Sequence, residues 1–109
     1  MKPAIIALLV SASGLLMPAF ADDYEDLDKV IATLPRDAAA VVNRRLQCDH
    51  WAGEEPYDRA RAREIARATR RNKCGSLERD EAATLKRYAG DPRVVKAVKD
   101  AKALGDGEQ

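Results

Sequence analysis

The stretch Asp58-Arg59-Ala60-Arg61-Ala62-Arg63-Glu64-Ile65-Ala66-Arg67-Ala68-Thr69-Arg70-Arg71-Asn72-Lys73-Cys74-Gly75 decides the fold. It is built from Ala and Arg, both strong helix formers. Asp58 opens it as a residue whose carboxylate can accept from a free N–H of the first turn. Gly75 is suited to the left-handed position after a helix end. At 100° per residue Ala62, Ile65, Ala66 and Thr69 share one face, and Arg59, Arg63, Arg67, Arg70 and Arg71 share another. The apolar face holds one large side chain, so a neighbouring helix can approach closely.

The rest of the chain after residue 21 reads the same way, with no pair of alternating β-branched runs joined by an Asn-Gly or Asp-Gly turn. Upstream, Ala38, Val41, Val42 and Leu46 place a helix from about Arg36 or Ala38 to His50, followed by a break over Trp51–Tyr57. Before it, Leu27, Val30, Ile31 and Leu34 fall at i, i+3, i+4 and i+7 of a helix over about Asp23–Leu34, closed by Pro35. Downstream, Ser76 is the expected N-cap of a helix to Ala89. Its acids Glu78, Asp80 and Glu81 come early and Lys86 and Arg87 late, matching the helix dipole. Asp91 as N-cap and Pro92 at the first position start a last helix lined by Val94, Val95, Val98 and Ala101. Gly105 is expected to stop it, leaving 105–109 as a frayed tail. The fold class is therefore all-α: a small bundle of four to five short helices, one domain over 22–104.

Residues 1–21 read as a cleavable secretory signal peptide. Lys2 provides a positive start, Ala4–Met17 is uncharged and rich in Ile, Leu, Val and Ala, and Ala19-Phe20-Ala21 puts small residues where a signal peptidase needs them. The rival reading, a membrane anchor, needs about 20 apolar residues; this run is shorter and contains Ser11, Ser13 and Gly14, with Pro18 beyond it. Cleavage after Ala21 predicts a periplasmic or secreted protein with no stable membrane anchor. An oxidising compartment makes the two cysteines, Cys48 and Cys74, a disulfide pair. Closing that loop is worth about 3.5 kcal/mol in the chain-entropy treatment.

The chain has 19 Lys and Arg against 18 Asp and Glu; losing Lys2 with the leader makes the balance zero. That neutrality argues against general nucleic-acid binding. The charges are nonetheless grouped. Arg59, Arg61, Arg63, Arg67, Arg70, Arg71 and Lys73 crowd one segment, and Asp22, Asp23, Glu25, Asp26 and Asp28 crowd another. These groups either pair across helices or stay solvated; the sharper alternative is a docking face for an acidic partner.

The other unusual segment is Cys48-Asp49-His50-Trp51-Ala52-Gly53-Glu54-Glu55-Pro56-Tyr57-Asp58, with the single His and the single Trp. It resembles a segment of small exported bacterial proteins with the pattern Cys-x-His-Trp/Phe-x-Gly-Glu-Glu-Pro-Tyr-Asp, followed by an Arg-rich helix and a second Cys. The resemblance covers residues 48–74 and implies no activity, so no functional residue is carried over. Read on its own chemistry, the segment makes His50, Trp51, Glu54, Glu55 and Tyr57 the candidate binding residues. The bland alternative has His50 packing on the core, Trp51 and Tyr57 covering the disulfide, and the acids capping the next helix.

Metal binding through His50, Glu54, Glu55 and Asp58 has one His, and both thiols are expected to be oxidised. A calcium site through Glu54, Glu55 and Asp58 lacks spaced oxygen ligands. Ser76 has a structural role to fill, and a Cys nucleophile conflicts with the disulfide. The expectation is a non-enzymatic binding or structural protein with no cofactor, whose partner is another periplasmic or secreted protein. The alternative is metal-dependent or hydrolytic activity centred on His50 with Glu54 or Glu55.

Overall fold

The computed structural model describes residues 19–107, with side chains from 24 to 106. Among the described residues five α-helices make the fold: α1 (Ala19–Ile31), α2 (Arg36–Ala52), α3 (Arg59–Arg71), α4 (Leu77–Arg87) and α5 (Pro92–Gly107). A single 3-10 turn, Cys74–Ser76, joins α3 to α4. Among the described residues there is no strand. Residues 1–18 of the expected signal peptide lie outside the described residues; Ala19–Ala21 already belong to α1.

The main core lies where α1, α2 and α5 meet. Leu27, Ile31 and Leu34 pack there with Ala38, Val42, Val94, Val98, Ala101 and Leu104. Most of the anticipated stripes of the first and last helices thus turns inward, with two exceptions: Val95 is half-buried outside this cluster, and Val30 is left exposed beside a groove. The largest fully buried side chains are only valines, Val42, Val94 and Val98. A core of such small residues supplies limited apolar burial, at about 1.5–3 kcal/mol for each large side chain, so the chain relies on polar and covalent ties elsewhere.

Several helix ends differ from expectation. α2 runs on through Trp51 to Ala52, so the break begins at Gly53. Asp58 is the N-cap of α3, its Oδ1 accepting from the Arg61 N–H at 2.7 Å. The left-handed residue after α3 is Lys73, φ 51°, and not Gly75. A non-glycine there costs on the order of 1 kcal/mol. Ser76 precedes α4 without capping it; its hydroxyl lies instead between the Lys73 carbonyl and the Asp80 carboxylate. Asp91 caps α5 through the Arg93 N–H at 3.1 Å. Gly105 does not stop α5, which continues to Gly107.

α4 is tied back to the start of α2 by its Tyr88 end. The Tyr88 hydroxyl donates to Asp37 Oδ1 at 2.6 Å, and Arg87 meets Asp37 Oδ2 at 3.1 Å. The Tyr88 hydrogen bond holds the Asp37 carboxyl below its ordinary 3.8, and the same bond pushes the Tyr88 hydroxyl above its ordinary 10.0. A depressed acid stabilises the fold fully above its unfolded pKa and ceases to do so as pH falls through the folded value. A raised phenol stabilises below about pH 10 and ceases to do so as pH rises through its folded value. Tyr88→Phe should therefore return the Asp37 titration toward 3.8, followed by carboxyl-detected NMR. An unchanged Asp37 titration would remove Tyr88 as the cause.

Candidate functional site

The corner formed by α2, α3 and α4 is the most heavily tied part of the molecule. Cys48 on α2 and Cys74 in the 3-10 turn form a disulfide with Cα atoms 5.6 Å apart. Arg44, one turn before Cys48, reaches over the end of α3. Its Nε donates to the Asn72 carbonyl and its Nη2 to the Lys73 carbonyl, both at 2.9 Å, while Nη1 meets Asp80 at 2.9 Å. A cation on the last carbonyls of a helix satisfies orphan acceptors and complements the dipole. The Arg44 hydrogen bond also holds Asp80 below the usual carboxylate range.

Beside it Arg45 grips Glu81 of α4 with both arms of its guanidinium, Nε to Oε2 at 2.9 Å and Nη2 to Oε1. Glu81 is 2% exposed, the one buried charged residue among those described. Its hydrogen bond raises the Arg45 pKa above the ordinary arginine value, keeping the guanidinium charged. Arg45 Nη1 also donates to Asp49 Oδ1 at 3.2 Å. The other oxygen of Asp49 fills the space where a Cβ on Gly105 would sit, 2.1 Å away. Gly105 therefore lies inside α5 because a larger residue there would displace the Asp49 carboxylate.

Three of the five expected binding residues come together. His50 Nε2 lies 3.4 Å from Glu54 Oε1, and the His50 and Trp51 rings meet edge to face at 5.3 Å. The Arg61 guanidinium of α3 closes the group: it donates to Glu54 Oε2 at 2.8 Å, pairs with Glu64, and stands 5.3 Å over the Trp51 ring. The Glu54 hydrogen bond raises the Arg61 pKa. Glu54 and Trp51 are thus occupied in pinning α3 to the end of α2. Glu55 and Tyr57 are exposed and stand outside the cluster. Tyr57 is 78% exposed; His50 is exposed too, contrary to the core-packed reading, although it borders a depression with Tyr24, Leu46 and Gln47. No group of three or more His, Cys, Asp or Glu among the described residues is placed to hold a metal ion.

The inward turn of Arg61 reshapes the reading of α3. Its packed face is centred on Arg61, Ile65, Ala68 and Asn72, with Ala68 fully buried; Ala66 and Thr69 of the expected face are half-buried beside it, and Ala62 alone of that face is exposed. On the opposite side Arg59, Arg63, Arg67 and Arg70 form a stripe, with Arg71 beside it and Lys73 beyond the end; all six are exposed. Among the described residues none of these six makes a side-chain ion pair or hydrogen bond, and neither do Glu25, Asp26 or Asp28 of α1. Of the two alternatives, solvation holds among the described residues and pairing across helices does not. From Arg59 to Arg70 the stripe runs about 17 Å at 1.5 Å per residue.

A groove of about 520 Å³ between α1 and α5 is lined by Leu27, Val30, Ala97 and Leu104 together with Asp26 and Arg93. No helix among the described residues is long and apolar enough to cross a membrane.

The chain matches no family model, no curated protein and no solved structure. Its role has to be argued from the chemistry of its own surfaces.

Proposed function

We propose that this is an exported, non-enzymatic binding protein, processed after Ala21 and periplasmic or secreted, that docks an acidic partner on the α3 arginine stripe. The observation that carries the reading is the stripe itself: five exposed arginines and Lys73, without a counter-charge among the described residues, on a helix held at both ends. Guanidinium groups pair bidentately with carboxylate or phosphate. An aligned row on a rigid helix places several of them at once without ordering a loop first. The Cys48–Cys74 disulfide supports an oxidising location.

The His50, Trp51, Glu54, Glu55 and Tyr57 surface takes second place, because Glu54 and Trp51 already serve Arg61. The same bond weakens a hydrolytic or metal-dependent role for Glu54. Calorimetric titration with poly-L-glutamate tests the docking face. Arg63→Glu/Arg67→Glu/Arg70→Glu should reduce binding at least about tenfold, while Glu55→Gln/Tyr57→Ala leaves it unchanged. Equal binding by folded triple variant and wild type would contradict the assignment.

A further inference from the structure

We infer that the acidic partner of the α3 stripe is the α1 outer face of a second copy of this chain. The inference rests on the docking role of α3 and names its occupant.

The chain carries both halves of the contact. α1 presents Glu25, Asp26 and Asp28, all exposed and without an ion pair among the described residues, and the sequence adds Asp22 and Asp23 at its start. Lys29 is the one basic residue in this segment. α3 presents its unpaired arginines, with Glu64 as the one acid in that helix and already bonded to Arg61. The two helices have the same length, 13 residues each. Within one molecule they do not meet: α1 packs on α2 and α5, whereas α3 packs on α2 and the 3-10 turn. The opposite charges therefore cannot neutralise each other inside a copy, although the processed chain is formally neutral. Between copies they can.

A neutral molecule with two separated faces of opposite sign has little net repulsion to oppose association and a defined orientation for it. The two faces are different surfaces, so the contact is head-to-tail and leaves one free face at each end of a growing species. Exposed ion pairs are individually weak, about 0–1 kcal/mol each. The association is accordingly expected to be reversible, concentration-dependent and strongly salt-dependent. Neither face carries a large apolar side chain at its centre, which agrees with an electrostatic contact over an obligate dimer.

Sedimentation velocity on protein expressed with its own leader tests this. At about 20 mM salt, where screening reaches roughly 20 Å, the mean sedimentation coefficient should rise with concentration; at about 1 M, where screening reaches roughly 3 Å, it should fall to the monomer value. Arg63→Glu/Arg67→Glu/Arg70→Glu and, separately, Glu25→Lys/Asp26→Lys/Asp28→Lys should each be monomeric at both salts, with unchanged helical circular dichroism. Mixed in equal amounts they should associate again, because the intact α1 face of one meets the intact α3 face of the other and the two reversed faces are complementary as well. A wild type that stays monomeric at low salt, variants that still associate alone, or a mixture that stays monomeric would overturn the inference. The wild-type salt series needs no variant to fold. Poly-L-glutamate binding by a protein that never self-associates would leave α3 as the docking face and remove the second copy as its partner; loss of both would remove both.

Discussion

Arg45→Ala is expected to lower the unfolding free energy by about 3–5 kcal/mol, the range for breaking a buried ion pair from one side. Glu81 is almost fully buried and takes both of its strong hydrogen bonds from Arg45. Truncating Arg45 leaves a carboxylate away from water with no cation. Its choices are to stay charged without a partner, to take up a proton, or to drag α4 off α2; each destabilises. Native domains of this size are stable by only about 5–15 kcal/mol, so the variant should show a large fraction of its loss directly in a urea midpoint. The paired replacement Arg45→Met/Glu81→Leu removes both charges and should recover most of the loss, since buried ion pairs exchanged for apolar residues of similar volume are often neutral. A urea midpoint for Arg45→Ala within error of wild type would show that Glu81 finds water or another donor. A double variant as weak as the single would show that packing, and not the orphaned charge, is responsible.

The second large effect concerns the staple. Cys48→Ala/Cys74→Ala should lose roughly 3.5 kcal/mol, from the entropy regained by an unfolded chain no longer closed across 26 positions. The folded state should change little. Arg44 would still hold the Asn72 and Lys73 carbonyls and Asp80, and Arg61 would still bond Glu54. Helical circular dichroism at 10 °C should therefore match wild type while the urea midpoint drops. A loss below about 1 kcal/mol would mean that the unfolded chain is already compact around this corner. Loss of helix in the absence of denaturant would mean that the disulfide, and not the arginine clamp, positions α3.

The bundle was legible because its helices announce themselves in ways that depend on near neighbours. Asp58 and Asp91 cap α3 and α5 where their short acceptor side chains precede good helix formers. Leu27 and Ile31, or Val94, Val98 and Ala101, repeat at the helical period and are buried; Leu34 is buried too, but in the turn after α1, which ends at Ile31 and not at Leu34 as expected. The errors came where a distant residue decides. Gly105 looks like a stop in its own segment; the Asp49 carboxylate, from α2, explains why it is a helical glycine. Gly75 looks like the left-handed residue, but Arg44 draws the Lys73 carbonyl and Lys73 takes that conformation.

The candidate site was legible in outline and misjudged in weight. His50, Trp51 and Glu54 do gather, but the organiser is Arg61, which the sequence places in a uniform basic run. The Arg45–Glu81 pair was missed although a signal existed. Arg45 falls three and four residues after Val42 and Val41, on the inward face of α2, and Glu81 falls midway between Leu77 and Leu85. A charge placed within an apolar stripe on each of two helices is a reason to pair them.

α3, and not the loop before it, is the proposed recognition surface. Backbone amide shifts of the nitrogen-15-labelled protein during titration with poly-L-glutamate test it most directly. Perturbations should concentrate on residues 59–73 and vanish at about 1 M salt, while the amides of Glu55 and Tyr57 stay still. Shifts centred on 50–57, or no shift anywhere at low salt, would contradict it.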